Sequence, residues 1–197
     1  MVRTAAEWPP GTGIVFDDYD YELYPLLFSR STWQLDVAVS LPSSLSVEPE
    51  VSRSPPPHTD ELAELWGVAW RRRMAHLSDF DDFDVEQEGL EAYFAAWRTM
   101  QASLPPPWQD STAEWFDDAA FATWSTAVSS AADTSVRPGI ESAVINACED
   151  GLRHVTLLPF DDQYAKRVSR RRLVVSGQTW NDDDALTRFL SRRPPAA

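Results

Sequence analysis

The chain contains a single cysteine, Cys148, so neither a disulfide framework nor a cysteine-based zinc site can form within one copy. Its opening residues, MVRTAAEWPPGTG, contain no apolar run of the kind that a signal peptide carries. No stretch approaches the ~18 consecutive apolar residues that a membrane helix requires. From these absences we expect a protein of the reducing cytoplasm, with no membrane partner.

Glycine and lysine are scarce as well. Seven glycines leave little material for a phosphate-binding loop, and neither a Gly-x-Ser-x-Gly nor a His-Glu-x-x-His motif occurs. The sequence therefore predicts no cofactor. Lys166 is the only lysine, and this bias toward arginine, together with abundant alanine, indicates a GC-rich genome and favours a bacterial source.

Acidic residues are in excess, and the formal net charge is −14. Residues 1–60 hold 9 acids and 3 bases, residues 61–135 hold 14 and 4, and residues 136–197 hold 8 and 10. A chain of this charge repels nucleic acids and anionic membranes at long range and attracts basic partners. The charge therefore predicts a basic protein partner and no nucleic acid.

The spacing of apolar residues predicts an α+β fold. Strands are predicted at 13–18, 32–41, 154–160 and 172–177, with an edge strand at 45–51. Helices are predicted from Thr59, over 90–104, behind a Ser-x-x-Glu capping box at 111–114, over 137–151 with Gly151 as its cap, and over 181–193 with Asn181 as its cap. We expect a small mixed sheet of about four strands covered by about five helices, as a single domain over 1–197 that can contain a helical subdomain at 59–135.

The stretch SDFDDFDVEQE, residues 78–88, concentrates acidic side chains around two phenylalanines. As a calcium loop it fails, since a frame from Asp82 puts Gln87 where glycine is needed and Tyr93 where glutamate is needed. We therefore expect no metal here. A helix entrance fits better, because Asp84 and Gln87 have capping-box spacing and the regular helix can begin at Gly89.

A surface for a basic partner is the other interpretation of this stretch. Acids interleaved with aromatic residues can steer a basic protein and anchor it by burial of the rings. The predicted partner-binding residues are Asp79, Phe80, Asp81, Asp82, Phe83 and Asp84.

Carboxylates also follow two predicted strands, with Asp17 and Asp18 after GIVF and Asp161 and Asp162 after VTLLPF. Open α/β sheets place their sites at such strand ends, and Lys166 is close in sequence. An aspartate nucleophile, a lysine and a metal-binding aspartate pair suit Mg²⁺-dependent phosphoryl transfer. The competing interpretation is that these are solvated turn acids.

This combination resembles the haloacid-dehalogenase family of phosphatases over the strand ends alone. That family has Asp-x-Asp directly after its first strand, whereas here Asp17-x-Tyr19 breaks the pattern and Asp18-x-Asp20 has the spacing one residue late. The family's lysine precedes its last acidic pair, whereas Lys166 follows the pair in this chain. The resemblance implies a small Mg²⁺-dependent phosphotransfer enzyme, and we keep it as the alternative function.

The leading hypothesis is a non-enzymatic, acidic protein-binding module, of the immunity, inhibitor or accessory-subunit kind. A third hypothesis is a homo-oligomeric structural component. The basic run KRVSRRR, residues 166–172, is predicted to be a solvated hairpin arm or an arm that pairs with the chain's own acids, so a head-to-tail contact is open.

Overall fold

A computed structural model of the chain describes residues 2–4, 14–17, 23–50, 56, 58–81, 85–105, 108, 116–131, 137 and 139–191. Within these residues the elements are, in chain order, β1 (Val2–Thr4), β2 (Val15–Asp17), α1 (Tyr24–Thr32), α2 (Thr59–Asp81), α3 (Val85–Ser103), α4 (Asp118–Ala131), α5 (Glu141–Glu149), β3 (His154–Leu158), β4 (Ala165–Arg167), β5 (Arg172–Ser176), α6 (Gly177–Trp180) and α7 (Asp183–Leu190). The predicted α+β class is confirmed.

The chain divides into two compact units. The first unit is Met1–Asp20, Leu41–Val47 and Thr126–Ala197, and the second is Tyr21–Ser40 and Glu48–Ser125. Along the chain, all of the second unit therefore lies between β2 and β3. The expectation of one domain over 1–197 stays a prediction, because two compact units can fold together or separately.

A mixed sheet, in the order β1-β2-β3-β5-β4, forms the centre of the first unit. β2, β3 and β5 are parallel, while β1 and β4 pair antiparallel at the two edges. The segment 161–171 supplies β4 and its turn into β5. Parallel neighbours need a long connection, and the helices α1 to α5 lie on the one between β2 and β3.

One face of this sheet packs on α5, α6 and α7. Phe16, Val155 and Leu173 are cross-strand partners and point to this face together. The rings of Phe16 and Trp180 meet edge to face, with centroids 5.0 Å apart. The helices add the buried residues Ile140, Val144, Ala147, Cys148, Leu186 and Leu190.

α5 ends as the sequence predicts, at a glycine in the left-handed region. Gly151 has φ +106°, and its N–H donates to the Cys148 carbonyl at 3.0 Å. Arg153 Nη1 donates to the same carbonyl at 2.7 Å, and Arg170 Nε donates to the Asp150 carbonyl at 2.9 Å. These cations meet the negative end of the helix dipole and satisfy carbonyls that the last turn leaves open.

The start of α7 differs by one residue from the prediction. The cap is Asp182, whose Oδ1 accepts from the Ala185 N–H at 2.9 Å, and Asn181 instead closes α6. Arg137 joins the two helices, since its Nε donates to Asp183 Oδ1 at 2.7 Å and its Nη1 to Asn181 Oδ1 at 3.2 Å. Residues 177–180 form the additional short helix α6, whose C-terminal cap is Asn181. The cap of α7 is therefore Asp182 and not Asn181.

The second unit is built around α1, a nine-residue helix that is buried on nearly all sides. Two indoles bond to it, since Trp66 Nε1 donates to the Leu26 carbonyl at 2.6 Å and Trp108 Nε1 donates to Ser29 Oγ at 3.0 Å. Phe28 contacts the further rings Phe116, Phe121 and Trp124, with centroids 5.4 to 5.6 Å away. Several of the nine tryptophans thus serve this core.

The segment 32–41, predicted as a strand, is not one. Thr32 ends α1, and the residues after it pair with no strand. The alternation that suggested a strand is nevertheless real, because Trp33 and Leu35 are buried while Gln34 and Asp36 are exposed. It does not come from an extended strand, because residues 33–34 form the turn that ends α1, with Gln34 at φ 53° and the Leu35 N–H donating to the Arg30 carbonyl at 3.0 Å. An alternating pattern therefore does not by itself establish a strand. In the described part of the predicted edge strand at 45–51, residues 45–50, there is one bridge, between Leu45 and Phe160.

The longest helices, α2 and α3, begin close to their predicted starts. α2 starts at Thr59 as expected, and α4 is capped by Asp117, whose Oδ1 accepts from the Ala120 N–H at 3.0 Å. The predicted capping box at 111–114 lies outside the described residues. No helix in the described part of the chain has both the length and the hydropathy needed to cross a membrane.

Candidate functional site

A buried ion pair lies on the sheet face opposite the apolar core. Arg172 Nη1 donates to Asp17 Oδ2 at 2.7 Å and to Thr156 Oγ1 at 2.9 Å. The side chains of Arg172 and Asp17 are 10% and 24% exposed, and Thr156 is fully buried. Since β3 lies between β2 and β5, the guanidinium ties the first parallel strand to the third.

This ion pair bears directly on the phosphotransfer hypothesis. Asp17, Thr156, Val174 and Lys166 lie in one register row across the sheet. Three strand spacings therefore separate Asp17 from Lys166, or about 14 Å between Cα atoms. The structure does not bring these two residues together, and the Asp17 carboxylate already accepts a hydrogen bond from Arg172.

The remaining residues of that hypothesis do not assemble a metal site in the described part of the chain. Asp161 and Asp162 are exposed beyond β3, and Asp18 lies outside the described residues. Among the residues that the structure describes, no three metal-ligating side chains gather. The phosphotransfer hypothesis stays a prediction.

A hydroxyl network closes the other end of β5. Ser176 Oγ caps α6 by accepting from the Thr179 N–H at 3.1 Å, and it lies 3.0 Å from Thr179 Oγ1. The Tyr164 N–H donates to both hydroxyls, at 3.0 and 2.9 Å, and the Tyr164 carbonyl accepts from the Ser176 N–H. These mutually satisfied groups hold the β4–β5 hairpin against α6, so the network is structural.

The phenol of Tyr164 gives the fold a pH dependence that is separate from this network, which uses only the backbone of that residue. Burial raises the pKa of its phenol from 10 to about 12, because the charged phenolate is poorly solvated there. The folded protein therefore keeps a proton that the unfolded chain loses, so the stabilisation is complete below pH 10 and is lost as the pH rises to about 12. We expect wild type to lose about 2 kcal/mol of unfolding free energy across that window relative to Tyr164→Phe.

Urea unfolding of both proteins between about pH 8 and pH 12 measures this difference. The gap between them should be constant below pH 9 and change only above pH 10, since phenylalanine cannot ionise. Parallel curves over the whole range would show that the Tyr164 phenol is no harder to ionise than an exposed one.

The acidic stretch 78–88 is divided between two helices. Asp79, Phe80 and Asp81 belong to the last turn of α2, whereas Asp82, Phe83 and Asp84 lie outside the described residues. The prediction that the whole stretch is the entrance of the following helix is therefore wrong for residues 78–81. The prediction failed because the acids suggested a helix start, where they would be stabilising.

The two ends of α2 differ in charge. The helix begins with Asp60 and Glu61, where acids are stabilising, and has no base in its last turn.

Gly89 separates the acidic stretch from the helix that follows. Its φ of 85° and ψ of 156° interrupt α3, and glycine adopts this conformation at far lower cost than other residues. The regular helix thus begins at Leu90, in agreement with the predicted start at Gly89.

An exposed apolar stripe lies on α3 directly after this kink. Leu90 is 63% exposed, Phe94 51% and Trp97 38%, and their spacing of four and three residues puts them on one side of the helix. We call these three residues the α3 stripe. The helix was predicted over 90–104 from the spacing of its apolar residues, but of these only Met100 and Leu104, at its C-terminal end, are buried.

Two opposite charges flank the α3 stripe. Glu91 and Arg98 are both exposed and lie two helical turns apart, so they share one flank. On the other side of the stripe, Tyr93 is half-buried and touches Phe94 with ring centroids 5.6 Å apart. The stripe is therefore bordered by the body of the second unit on one side and by a solvated charge pair on the other.

The basic run 166–172 is largely used within its own unit. Arg167 Nε donates to the Ser169 carbonyl at 2.9 Å, Arg170 bonds the end of α5, and Arg172 binds Asp17. The prediction of a hairpin arm is confirmed by the antiparallel pairing of β4 with β5. The acid that Arg172 meets, Asp17, is outside the 78–88 stretch.

Sequence reasoning missed both Arg172 as the partner of Asp17 and the exposure of the α3 stripe. A signal for Arg172 was available, because it begins the strand RLVVS, which is buried on both faces and in which a charge needs a partner. Comparisons with models of known protein families, with curated proteins and with solved structures found no match to this chain. Any functional proposal therefore rests on the chain's own geometry.

Proposed function

We propose that this protein is a non-enzymatic, acidic protein-binding module that recognises a basic partner protein, and that the α3 stripe is its anchoring surface. The exposure of Leu90, Phe94 and Trp97 on one helix side carries this proposal. The same proposal places the protein in a reducing cytoplasm, in keeping with a single thiol that is free and buried.

The α3 stripe has the composition of a binding anchor. Aromatic residues that exchange water for a partner's pocket contribute most of the energy in many interfaces. Its three side chains expose an area of about 300 Å², judged from the usual size of such residues. Patches of this extent on soluble proteins are often functional, whereas single exposed apolar side chains need no explanation.

The acids supply the attraction for a basic partner. With a net charge of −14, the protein draws a cationic partner at long range and accelerates the encounter. The acids of the predicted partner-binding stretch, Asp79, Asp81, Asp82 and Asp84, add to this charge in the sequence. Glu91 adds an exposed carboxylate beside the α3 stripe itself.

A defined probe tests this proposal: a labelled amphipathic peptide of alternating lysine and leucine turns, compared with a glutamate–leucine peptide of equal length. We expect the lysine peptide to bind and the glutamate peptide not to bind, with affinity falling as salt rises. Phe94→Ser should weaken binding by at least about tenfold, since it removes the central anchor.

Ala95→Ser is the matched control, because Ala95 is exposed on α3 but turned away from the α3 stripe. It should bind like wild type, and fluorescence anisotropy reports all of these affinities. Equal binding by Phe94→Ser and Ala95→Ser, or affinity indifferent to salt, would overturn the proposal.

A further inference from the structure

We propose that the α3 stripe also binds a second copy of this chain, as a two-fold antiparallel pair of α3 helices that covers the anchoring surface in the free protein. The self-pairing stands on the geometry of α3 alone. The clause that it competes with a basic partner rests on the proposed function.

The charges on α3 favour this occupant. A two-fold axis across the helices between Phe94 and Ala95 leaves Glu91 and Arg98 equally far from it, about 5 Å along the helix on opposite sides. Glu91 of one copy is then level with Arg98 of the second copy, and the reverse holds as well. One axis therefore forms two opposite-charge pairs from a single helix.

The flank on which these charges lie is equally important. A two-fold axis perpendicular to both helices keeps each flank on its own side, so the charged flanks of the two copies meet each other. Phe94 lies close to the axis, and Leu90 lies on the side of the contact that is away from the charged flank. A parallel two-fold arrangement would instead put the two charged flanks on opposite sides of the contact, so that Glu91 and Arg98 face the Tyr93 flank of the second copy, and it would align the two helix dipoles unfavourably.

The area sets the strength of this pairing. Two α3 stripes bury about 600 Å², which is below the roughly 1,200–2,000 Å² of stable interfaces. The pair is therefore weak, and forms only at high protein concentration. Because copies of charge −14 repel one another, moderate salt should strengthen the pairing, whereas it weakens the binding of a basic partner.

Sedimentation velocity of the full chain between about 10 and 500 µM tests the self-pairing, since an interface of this size dissociates in that range. We expect a concentration-dependent dimer that Phe94→Ser abolishes. Glu91→Arg and Arg98→Glu should each weaken dimerisation about fivefold, because each places like charges opposite one another. The double variant Glu91→Arg/Arg98→Glu restores both pairs and should return to within about twofold of wild type.

Circular dichroism of each variant confirms that α3 is retained. A chain that is monomeric at every concentration, or a double variant as weak as the single ones, would overturn the self-pairing. A wild type that stays monomeric and still binds the lysine–leucine peptide would overturn the self-pairing and leave the proposed function standing. A dimer that does not bind the peptide would overturn the proposed function and leave the self-pairing standing.

Discussion

Replacing Trp66 by alanine is expected to lower the free energy of unfolding by about 3–5 kcal/mol. Trp66 is 0% exposed, and its ring stacks on Trp70 with centroids 5.2 Å apart and planes inclined by 10°. Its indole N–H also donates to the Leu26 carbonyl on the buried helix α1. Truncation therefore opens a cavity in a close-packed core and removes a bond between α2 and α1.

Two further variants separate these contributions. Trp66→Phe keeps much of the ring volume and loses the N–H, so it should cost less than the alanine variant, about 1–2 kcal/mol. Trp97→Ala removes the same side chain from a site that is 38% exposed and should also cost less. Urea unfolding followed by circular dichroism gives all three values. A loss for Trp66→Ala no larger than that for Trp97→Ala would show that Trp66 is not a core residue of this unit.

Arg172→Met is expected to destabilise the protein by about 2–4 kcal/mol. The variant keeps an apolar side chain of similar length but leaves the Asp17 carboxylate largely buried and without the cation that compensates it. Thr156 Oγ1 loses the Arg172 N–H that donates to it in the same step. We expect the loss of stability to lie toward the lower end of this range, because Asp17 is 24% exposed and water can reach it.

Lys166→Met is the matched control, since it removes a cation from the same register row and the same sheet face. Lys166 is exposed, so the change should stay within about 0.5 kcal/mol. Asp17→Asn combined with Arg172→Met should recover part of the loss, because no buried charge then remains alone. Equal effects of Arg172→Met and Lys166→Met in urea unfolding would show that the ion pair contributes nothing to stability.

The elements with purely local causes could be predicted from the sequence. Thr59 starts α2, Gly151 ends α5 in the left-handed region, and the strands His154–Leu158 and Arg172–Ser176 follow from short runs of β-branched and leucine residues. Each of these depends on residues within a few positions. Such signals survive tertiary packing because packing does not oppose them.

The errors have a common cause, which is that long-range partners are invisible to a local pattern. Residues 33–40 alternate between apolar and polar side chains as a strand does. A strand forms only where another strand is available to pair with it, and that depends on distant parts of the chain. The apolar spacing of α3 predicted a buried face, whereas burial depends on what covers it, and nothing covers Leu90 and Phe94 enough to exclude water. The acidic stretch was assigned to one helix because the end of α2 carries no glycine or base that would mark it.

The order of the strands has a consequence for how the chain folds. β3, β4 and β5 are close together in sequence with α5 to α7, so this part of the sheet can form early from local contacts. β2 pairs with β3 across about 140 residues that contain the helices α1 to α5, and closing so long a loop is entropically slow. During synthesis, Phe16 can pair with Arg3 of β1 at once, but its pairing with Val155 must wait until the second half of the chain emerges. We therefore expect the Asp17–Arg172 bond to be among the last to form, as it joins β2 to the half of the sheet made by β3, β4 and β5.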